Sequence, residues 1–91
     1  MDNSKLVKLK IALDQVHDWP SMYLFKFIVP SDNQKVAQVE ALFNAKTAEI
    51  RLRQSKNGKY TSITAREVMT SAQEVVDCYK KAYKIEGIIA L

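Results

Sequence analysis

The amino-acid sequence predicts one α+β domain, in which an antiparallel β-sheet carries helices on one face. Three observations predict this fold class. The 91 residues suffice for a single small domain. Hydrophobic residues make up 47% of the chain, which is typical of a globular protein and too many for a disordered one. Segments in which every second residue is apolar alternate along the chain with segments of helical apolar spacing.

The chain begins with a predicted amphipathic helix, an extension within residues 1–18. Its apolar residues recur at helical spacing among lysines: Leu6, Leu9, Leu13 and Val16. Trp19–Pro20 ends this helix, because a residue before proline avoids the helical region. A strand from Ser21 to Val29 follows. Its predicted core face carries Tyr23, Phe25, Phe27 and Val29, and its other face carries Met22, Leu24, Lys26 and Ile28.

A second helix is predicted after Pro30, extending to about Phe43. Ser31 with Gln34 three positions later forms a capping-box signal, and Asp32 suits the positive end of the helix. The apolar stripe of this helix consists of Val36, Val39, Leu42 and Phe43. In the strand that follows, apolar and charged residues alternate: Ala48, Ile50 and Leu52 with Glu49, Arg51 and Arg53.

The Asn57–Gly58 pair predicts a two-residue type I′ turn, which joins this strand to the next and sets Lys56 opposite Lys59. In that register Leu52 faces Ile63 and Ile50 faces Ala65, and these four apolar residues share one face, which is the predicted core face of the hairpin. The other face holds three facing pairs: Arg53 with Ser62, Arg51 with Thr64, and Glu49 with Arg66. The opposed lysines are mildly unfavourable, since like charges face each other.

The last helix is predicted from the capping-box pair Ser71 and Glu74. Its apolar stripe consists of Val75, Val76, Tyr79, Ala82 and Tyr83. Three lysines near its C-terminal end suit the helix dipole and need no binding role: Lys80, Lys81 and Lys84. The segment "IEGIIAL" closes the chain as an apolar strand.

A helix followed by β-α-β-β-α-β is the split ferredoxin-like arrangement, and we expect residues 1–91 to form one such domain. The crossover rule places the first strand centrally, beside strands three and four, and leaves the Arg51 strand at an edge. Two helices cover one sheet face, so an apolar strip remains on the other: Met22, Leu24 and Ile28, with either Ile88 and Ala90 or Ile89 and Leu91. Either the N-terminal helix folds over this strip, or a second copy of the chain pairs there as a homodimer.

Three segments follow one another along the chain: "DWPSMYLFKFIV", "RQSKNGKYTSIT" and "IEGIIAL". In these segments and their order the chain resembles the small bacterial YbeD-like family, a domain of unknown function. The resemblance extends from Trp19 onward and is most specific in the hairpin from Ser55 to Ser62. It implies a ferredoxin-like fold similar to the ACT-type regulatory domains, which bind small effectors at strand edges or dimer interfaces. It implies no established activity.

The positive charge of the chain is concentrated in one hairpin. Residues 50–66 hold five cations and no acid, against a net charge of +4 for the whole chain. We therefore hypothesise a regulatory or interaction module that binds an anionic effector or an acidic protein partner. The predicted site consists of Arg51, Arg53, Lys56 and Lys59, with Tyr60 and Ser62 as neighbouring contacts. The simpler interpretation is that these charges only keep an exposed edge from pairing.

Binding of RNA or single-stranded nucleic acid is the alternative function. RNA-recognition modules share this topology and stack bases on aromatic residues of the third strand. The corresponding stretch "NGKYTSITA" offers Gly58 and Tyr60, but Ser62 and Ala65 stand where further rings would be needed. The sequence therefore disfavours this alternative.

Catalysis, metal binding and cofactor binding are not predicted. The loop "VPSDNQ" lacks the glycine and arginine that an acylphosphatase-like phosphate site would need. His17 and Cys78 are the only residues of their types and lie on different elements, so they predict neither a nucleophile with its base nor a metal site. We expect Cys78 to be a buried structural residue and His17 a surface or packing residue.

The sequence predicts a cytoplasmic protein without a membrane partner. No apolar run approaches the ~18 residues of a membrane span. The stretch "MDNSKLVKLKIALDQ" lacks the uninterrupted apolar region of a signal peptide. A lone cysteine excludes an internal disulfide and fits a reducing compartment.

Overall fold

The computed structural model describes residues 3–91 and confirms the predicted order of elements. Its helices are α1 (Asn3–Val16), α2 (Asn33–Glu40) and α3 (Ala72–Ala82), and its strands are β1 (Ser21–Pro30), β2 (Glu49–Gln54), β3 (Tyr60–Met69) and β4 (Ile89–Ala90). The four strands form one antiparallel sheet in the order β2-β3-β1-β4. The fold is therefore ferredoxin-like, with β1 and β3 central and β2 at an edge.

The core lies between one face of the sheet and the helices. Phe25, Phe27 and Val29 of β1 are fully buried, as the alternation of that strand predicted. The rings of Phe25 and Phe27 stack with centroids 6.1 Å apart, and both pack against Tyr79 of α3. Aromatic pairs at such distances contribute about 0.5–1.5 kcal/mol beyond their burial, so they join β1 firmly to α3.

The N-terminal cap of α2 differs from the predicted one. Asp32, and not Ser31, caps the helix: its Oδ1 accepts from the backbone N–H groups of Gln34 at 2.8 Å and Lys35 at 3.3 Å. The Oγ of Ser31 is instead hydrogen-bonded to Thr61 Oγ1 at 2.9 Å, and the N–H of Ser31 donates to the carbonyl of Lys59, so this residue belongs to the end of the β1–β3 pairing. The predicted cap of α3 is confirmed, since Ser71 Oγ accepts from the N–H of Glu74.

Helix α2 ends at Glu40, earlier than the predicted end near Phe43. Leu42 and Phe43 lie in the turn that follows, where Phe43 is still buried. Leu52 lies on the helix side of the sheet, beside Asn33 and Val36 at the start of α2, but α2 does not cover it and its side chain remains 51% exposed. The prediction that Leu52 belongs to the core is therefore wrong.

The register of the β2–β3 hairpin is confirmed, but its predicted turn type is wrong. Ile50 pairs with Ala65 and Leu52 with Ile63. A type I′ turn needs a positive φ at Asn57, and among residues 3–91 only glycines have one, with Gly58 at 72°.

The hairpin instead closes through hydrogen bonds around Ser55. The N–H of Gly58 donates to the carbonyl of Ser55 at 2.9 Å, and the N–H of Ser55 donates to the carbonyl of Tyr60 at 2.8 Å. Asn57 Oδ1 accepts from the N–H of Lys59 at 3.0 Å and from Ser55 Oγ at 2.9 Å. Lys56 and Lys59 consequently lie in a loop and do not face each other as a strand pair.

Helix α1 packs against α3 and leaves the opposite face of the sheet uncovered. Leu6 and Leu13 are buried in the core cluster, whereas Val7 and Ile11 on the same helix are exposed. The prediction that α1 folds over the strip of Met22, Leu24 and Ile28 is therefore wrong. Pairing of that strip with a second copy stays a prediction. Within residues 3–91, no helix combines the length and the apolar character that crossing a membrane requires.

We predict that Phe25→Ala lowers the free energy of unfolding by about 3–5 kcal/mol, because it leaves a cavity among fully buried rings. The matched control is Leu24→Ala on the adjacent position, whose side chain is 56% exposed on the other face. We expect that change to cost less than about 1 kcal/mol. Denaturant unfolding measures both, and similar losses in the two variants would contradict the assignment of faces.

Candidate functional site

The sheet face opposite the helices, here called the open face, brings together the two residue sets that the sequence singled out. The strand register places these outward side chains on it: Met22, Leu24, Lys26 and Ile28 from β1; Glu49, Arg51 and Arg53 from β2; Tyr60, Ser62, Thr64, Arg66 and Val68 from β3; and Ile89 and Leu91 at the C-terminal end. None of the helices of residues 3–91 covers them. The apolar strip and the basic hairpin are thus two halves of one surface.

The apolar half of the open face lies along β1 and its neighbours. Met22 pairs with Val68, and both side chains are about half exposed. Ile28 pairs with Ile89 at the other end of the strand, and the N–H of Leu91 donates to the carbonyl of Lys26. Of the two pairs that the sequence left open, Ile89 and Leu91 lie on this face, while Ile88 and Ala90 pack against the core. Lys26 lies between Leu24 and Ile28 on this face. Exposed apolar side chains gathered on one face and bordered by polar residues are typical of an interaction surface.

The basic half lies on β2 and β3. Arg51, with 80% of its side chain exposed, is paired with Glu49: their Nη2 and Oε1 atoms are 2.9 Å apart. Such an exposed ion pair contributes only about 0–1 kcal/mol. Arg53 forms no ion pair with any residue that the structure describes, and Arg66 lies opposite Glu49 in the ladder. With Lys26, the open face carries four cations against one carboxylate.

Two of these cations were missing from the predicted site. The sequence places Arg66 in the basic run, and its predicted pairing with Glu49 sets it beside the β2 arginines, as the register confirms. The alternation of β1 places Lys26 on its outward face, and the register sets Lys26 opposite Thr64 of β3, which in turn lies opposite Arg51 of β2. Alternation predicted which face of β1 carries Lys26, but only the β1–β3 register shows that Lys26 lies on the same surface as the arginines.

The remaining predicted site residues lie near the turn of the hairpin. Tyr60 is half exposed on the open face, and Ser62 Oγ donates to the carbonyl of Arg53 at 3.3 Å. Lys56 and Lys59 are exposed in the loop beyond the strands. The structure therefore groups Arg51, Arg53, Tyr60 and Ser62 on one surface and leaves the two lysines at its border.

The open face is shallow. One depression is lined by Met22, Leu24, Glu49, Arg51, Thr64 and Arg66, and a second by Ile28, Arg53, Gln54, Ser55, Tyr60 and Ser62. Both are open to solvent. Small-molecule sites are typically concave and bury most of the ligand, so this geometry suits the broad surface of a macromolecule better.

His17 forms a polar contact without the other parts of a catalytic site. Its Nδ1 lies 2.9 Å from Ser21 Oγ, and its ring stacks on Trp19 with centroids 5.1 Å apart. The nearby carboxylate of Asp14 accepts from Trp19 Nε1 and not from the histidine. No group of three His, Cys, Asp or Glu side chains within residues 3–91 is arranged to hold a metal ion.

Cys78 is buried on α3. Burial, reinforced by the negative charge of Glu67, raises the pKa of its thiol from 9.0 to about 12, although Lys81 acts in the opposite direction. Because the thiolate is the nucleophilic form, the geometry and the raised pKa both make this cysteine a poor nucleophile at neutral pH.

Comparison with known proteins identifies one matching family, described as "Protein of unknown function (DUF493)", whose model matches residues 14–91. No curated protein and no solved structure was found to match the chain. The matched residues contain all four strands together with α2 and α3, and therefore the whole open face.

We predict that the free energy of unfolding falls as the pH rises from about 9 to about 12. The Cys78 thiol ionises near its ordinary pKa of 9.0 in the unfolded chain but stays neutral to about 12 in the folded protein, so rising pH favours unfolding. Burial raises the pKa of Tyr79 as well, so Cys78→Ala should make the decline shallower without removing it. Denaturant titrations at several pH values measure this, and identical slopes in the two proteins would contradict it.

Proposed function

Because the chain belongs to the DUF493 family, the YbeD-like family of unknown function, its identity brings no activity with it, and we propose that it is a non-catalytic interaction module that binds an acidic protein partner through the open face. One observation carries this proposal: four cations stand against one carboxylate beside a patch of half-exposed apolar side chains. A regulatory role of the ACT type would be exercised through the same surface.

The shape of the open face supports a protein partner over a small anionic effector. Its depressions are open to solvent, whereas an effector of metabolite size would gain most of its affinity inside a concave pocket. A protein partner can cover the whole face. Removing the apolar half from water would contribute about 25 cal/mol of favourable free energy per Å² of apolar area buried. The basic half would steer acidic surfaces towards the open face and fix their orientation.

The positions of the charges favour a binding role over simple protection of an edge. Charges protect a sheet from aggregation when they lie on an edge strand. Arg51 and Arg53 lie on the edge strand β2, but Arg66 and Lys26 lie on the central strands β3 and β1. Edge protection accounts for the first two residues only, whereas a surface for an acidic partner accounts for all four.

The same face offers little for stacking nucleic-acid bases. Of the residues described there, Tyr60 is the only aromatic one, and it is half exposed near the hairpin turn. Sheet modules that bind single-stranded RNA or DNA stack successive bases on several rings. This composition favours an acidic protein over a nucleic acid.

We predict that Arg53→Gln/Arg66→Gln weakens binding of the acidic partner about ten-fold or more. The partner is first recovered by passing extract of the native cells over the immobilised protein, and is then titrated in purified form. The matched control is Lys8→Gln/Lys46→Gln, which changes the net charge equally at exposed positions on α1 and in the α2–β2 connection. We expect the control to bind like the wild-type protein.

Salt dependence and solubility complete this test. Raised ionic strength should slow association of the wild-type protein and affect the arginine variant less. If the arginine variant binds normally but aggregates, the charges protect the edge and the proposed function is wrong. Recovery of nucleic acid instead of an acidic protein would equally contradict it.

A further inference from the structure

The sheet has one long free edge within residues 3–91, and it is β2. The opposite edge strand, β4, spans only two residues, whereas β2 runs from Glu49 to Gln54. The β2–β3 register is continuous, so no bulge twists this edge away, and the strand contains no proline. Natural edges are usually blocked by such devices, by charged side chains on the edge strand, by inward-pointing charges or by a covering element. Within Glu49–Gln54 only the exposed charges of Glu49, Arg51 and Arg53 act in this way, since α2 leaves Leu52 exposed and the inward positions hold no charge.

Alternation along the hairpin identifies the backbone groups that β2 presents to solvent. The N–H of Ser55 donates to the carbonyl of Tyr60, so these two residues form a hydrogen-bonded pair. In an antiparallel ladder, hydrogen-bonded and non-bonded pairs alternate. The backbone groups directed away from β3 therefore belong to Ile50, Leu52 and Gln54.

Different side chains flank this row of free groups on its two sides. On the helix side, Leu52 is 51% exposed and borders a cleft that Val36 and Asn33 of α2 also line. On the open face, the same stretch of strand carries Arg51 and Arg53. A strand added here would therefore meet an apolar surface on one of its faces and cations on the other.

We propose that β2 receives an extended segment of the acidic partner as an added β-strand, in which acidic and apolar side chains alternate. The proposal rests on the proposed function and specifies the partner segment. Its backbone pairs with Ile50, Leu52 and Gln54, its apolar side chains pack on Leu52 and Val36, and its carboxylates lie beside Arg51 and Arg53. In strand addition of this kind, the main chain supplies affinity and the alternate side chains supply specificity.

Charge argues against a second copy of the chain as the occupant. Antiparallel pairing of two β2 strands centred on Leu52 would use all three outward-facing residues of each copy. That register sets Arg51 of one copy opposite Arg53 of the other at two places, and directly opposed like charges are destabilising. An acidic strand in the same place meets opposite charges instead, so the arginines select against self-pairing and in favour of an acidic segment.

The test uses synthetic peptides of about eight residues, the length of an ordinary strand, with the full protein. The first alternates glutamate and valine. The second has the same composition with the two residue types in separate blocks. The third is the alternating peptide with N-methyl groups on its valine amides, which face β2 in the proposed pairing. We expect the alternating peptide to bind about ten-fold or more tightly than either of the others.

Hydrogen exchange followed by NMR reports the pairing directly. The amides of Ile50, Leu52 and Gln54 should gain protection when the alternating peptide binds, while those of Arg51 and Arg53 are already in the ladder and should change little.

Leu52→Pro removes a central outward N–H at a position where an edge strand tolerates proline, and should abolish binding without breaking the β3 pairing. If that variant fails to fold, Gln54→Pro at the end of the strand provides the same test.

The outcomes separate this proposal from the proposed function. If the block peptide binds as tightly as the alternating one and Arg53→Gln weakens both, the charged face binds acids but strand addition is wrong. If neither acidic peptide binds, strand addition is wrong, and the partner titration with the arginine variant decides the proposed function separately. If Leu52→Pro converts a dimer of the free protein into a monomer, the edge is occupied by a second copy and the proposal is overturned.

Discussion

The antiparallel ladder between β1 and β3 is the constraint on which the rest of the structure depends. It joins ten residue pairs, from Ser21 with Met69 to Pro30 with Tyr60, and both strands are central in the sheet. Because side chains alternate along a strand, one register fixes both faces at once. The same pairing that buries Phe25 and Phe27 under the helices places Leu24 and Lys26 on the open face beside Arg66 and Thr64. A shift of one residue would expose the aromatic core and bury the lysine.

The open face exists because all three helices pack on the other side of the molecule. Helix α1 packs Leu6 and Leu13 against α3 and the core cluster, and it leaves Val7 and Ile11 exposed. Four outward-facing apolar residues of the sheet are consequently left about half exposed: Met22, Leu24, Val68 and Ile89. A small domain can bury only part of its apolar surface, and here the remainder is gathered on one face and not scattered.

Charge and backbone act together at the border of that face. Arg51 and Arg53 stand on the one edge strand that is long enough to accept another strand, and Lys26 and Arg66 extend the positive potential inward across the sheet. An excess of one sign discourages a second identical edge and attracts an acidic one. The stability of the sheet does not require this arrangement, because the ladders and the aromatic core hold the strands without it. The arrangement therefore acts on the choice of partner more than on folding.

The sequence by itself determined the order of elements, the faces of the first three strands, and the β2–β3 register, because alternation and a short connection act over a few residues. It did not determine the features of the fold that depend on contacts between distant segments. The register of β1 against β3 is not set by a hairpin turn, since α2 and β2 lie between them, so the neighbours of Lys26 could not be read from alternation. The docking of α1 on α3, the cap at Asp32 in place of Ser31, and the exposure of Leu52 likewise depend on contacts between distant segments. The open face, with its basic and apolar halves side by side, is thus a product of the tertiary structure.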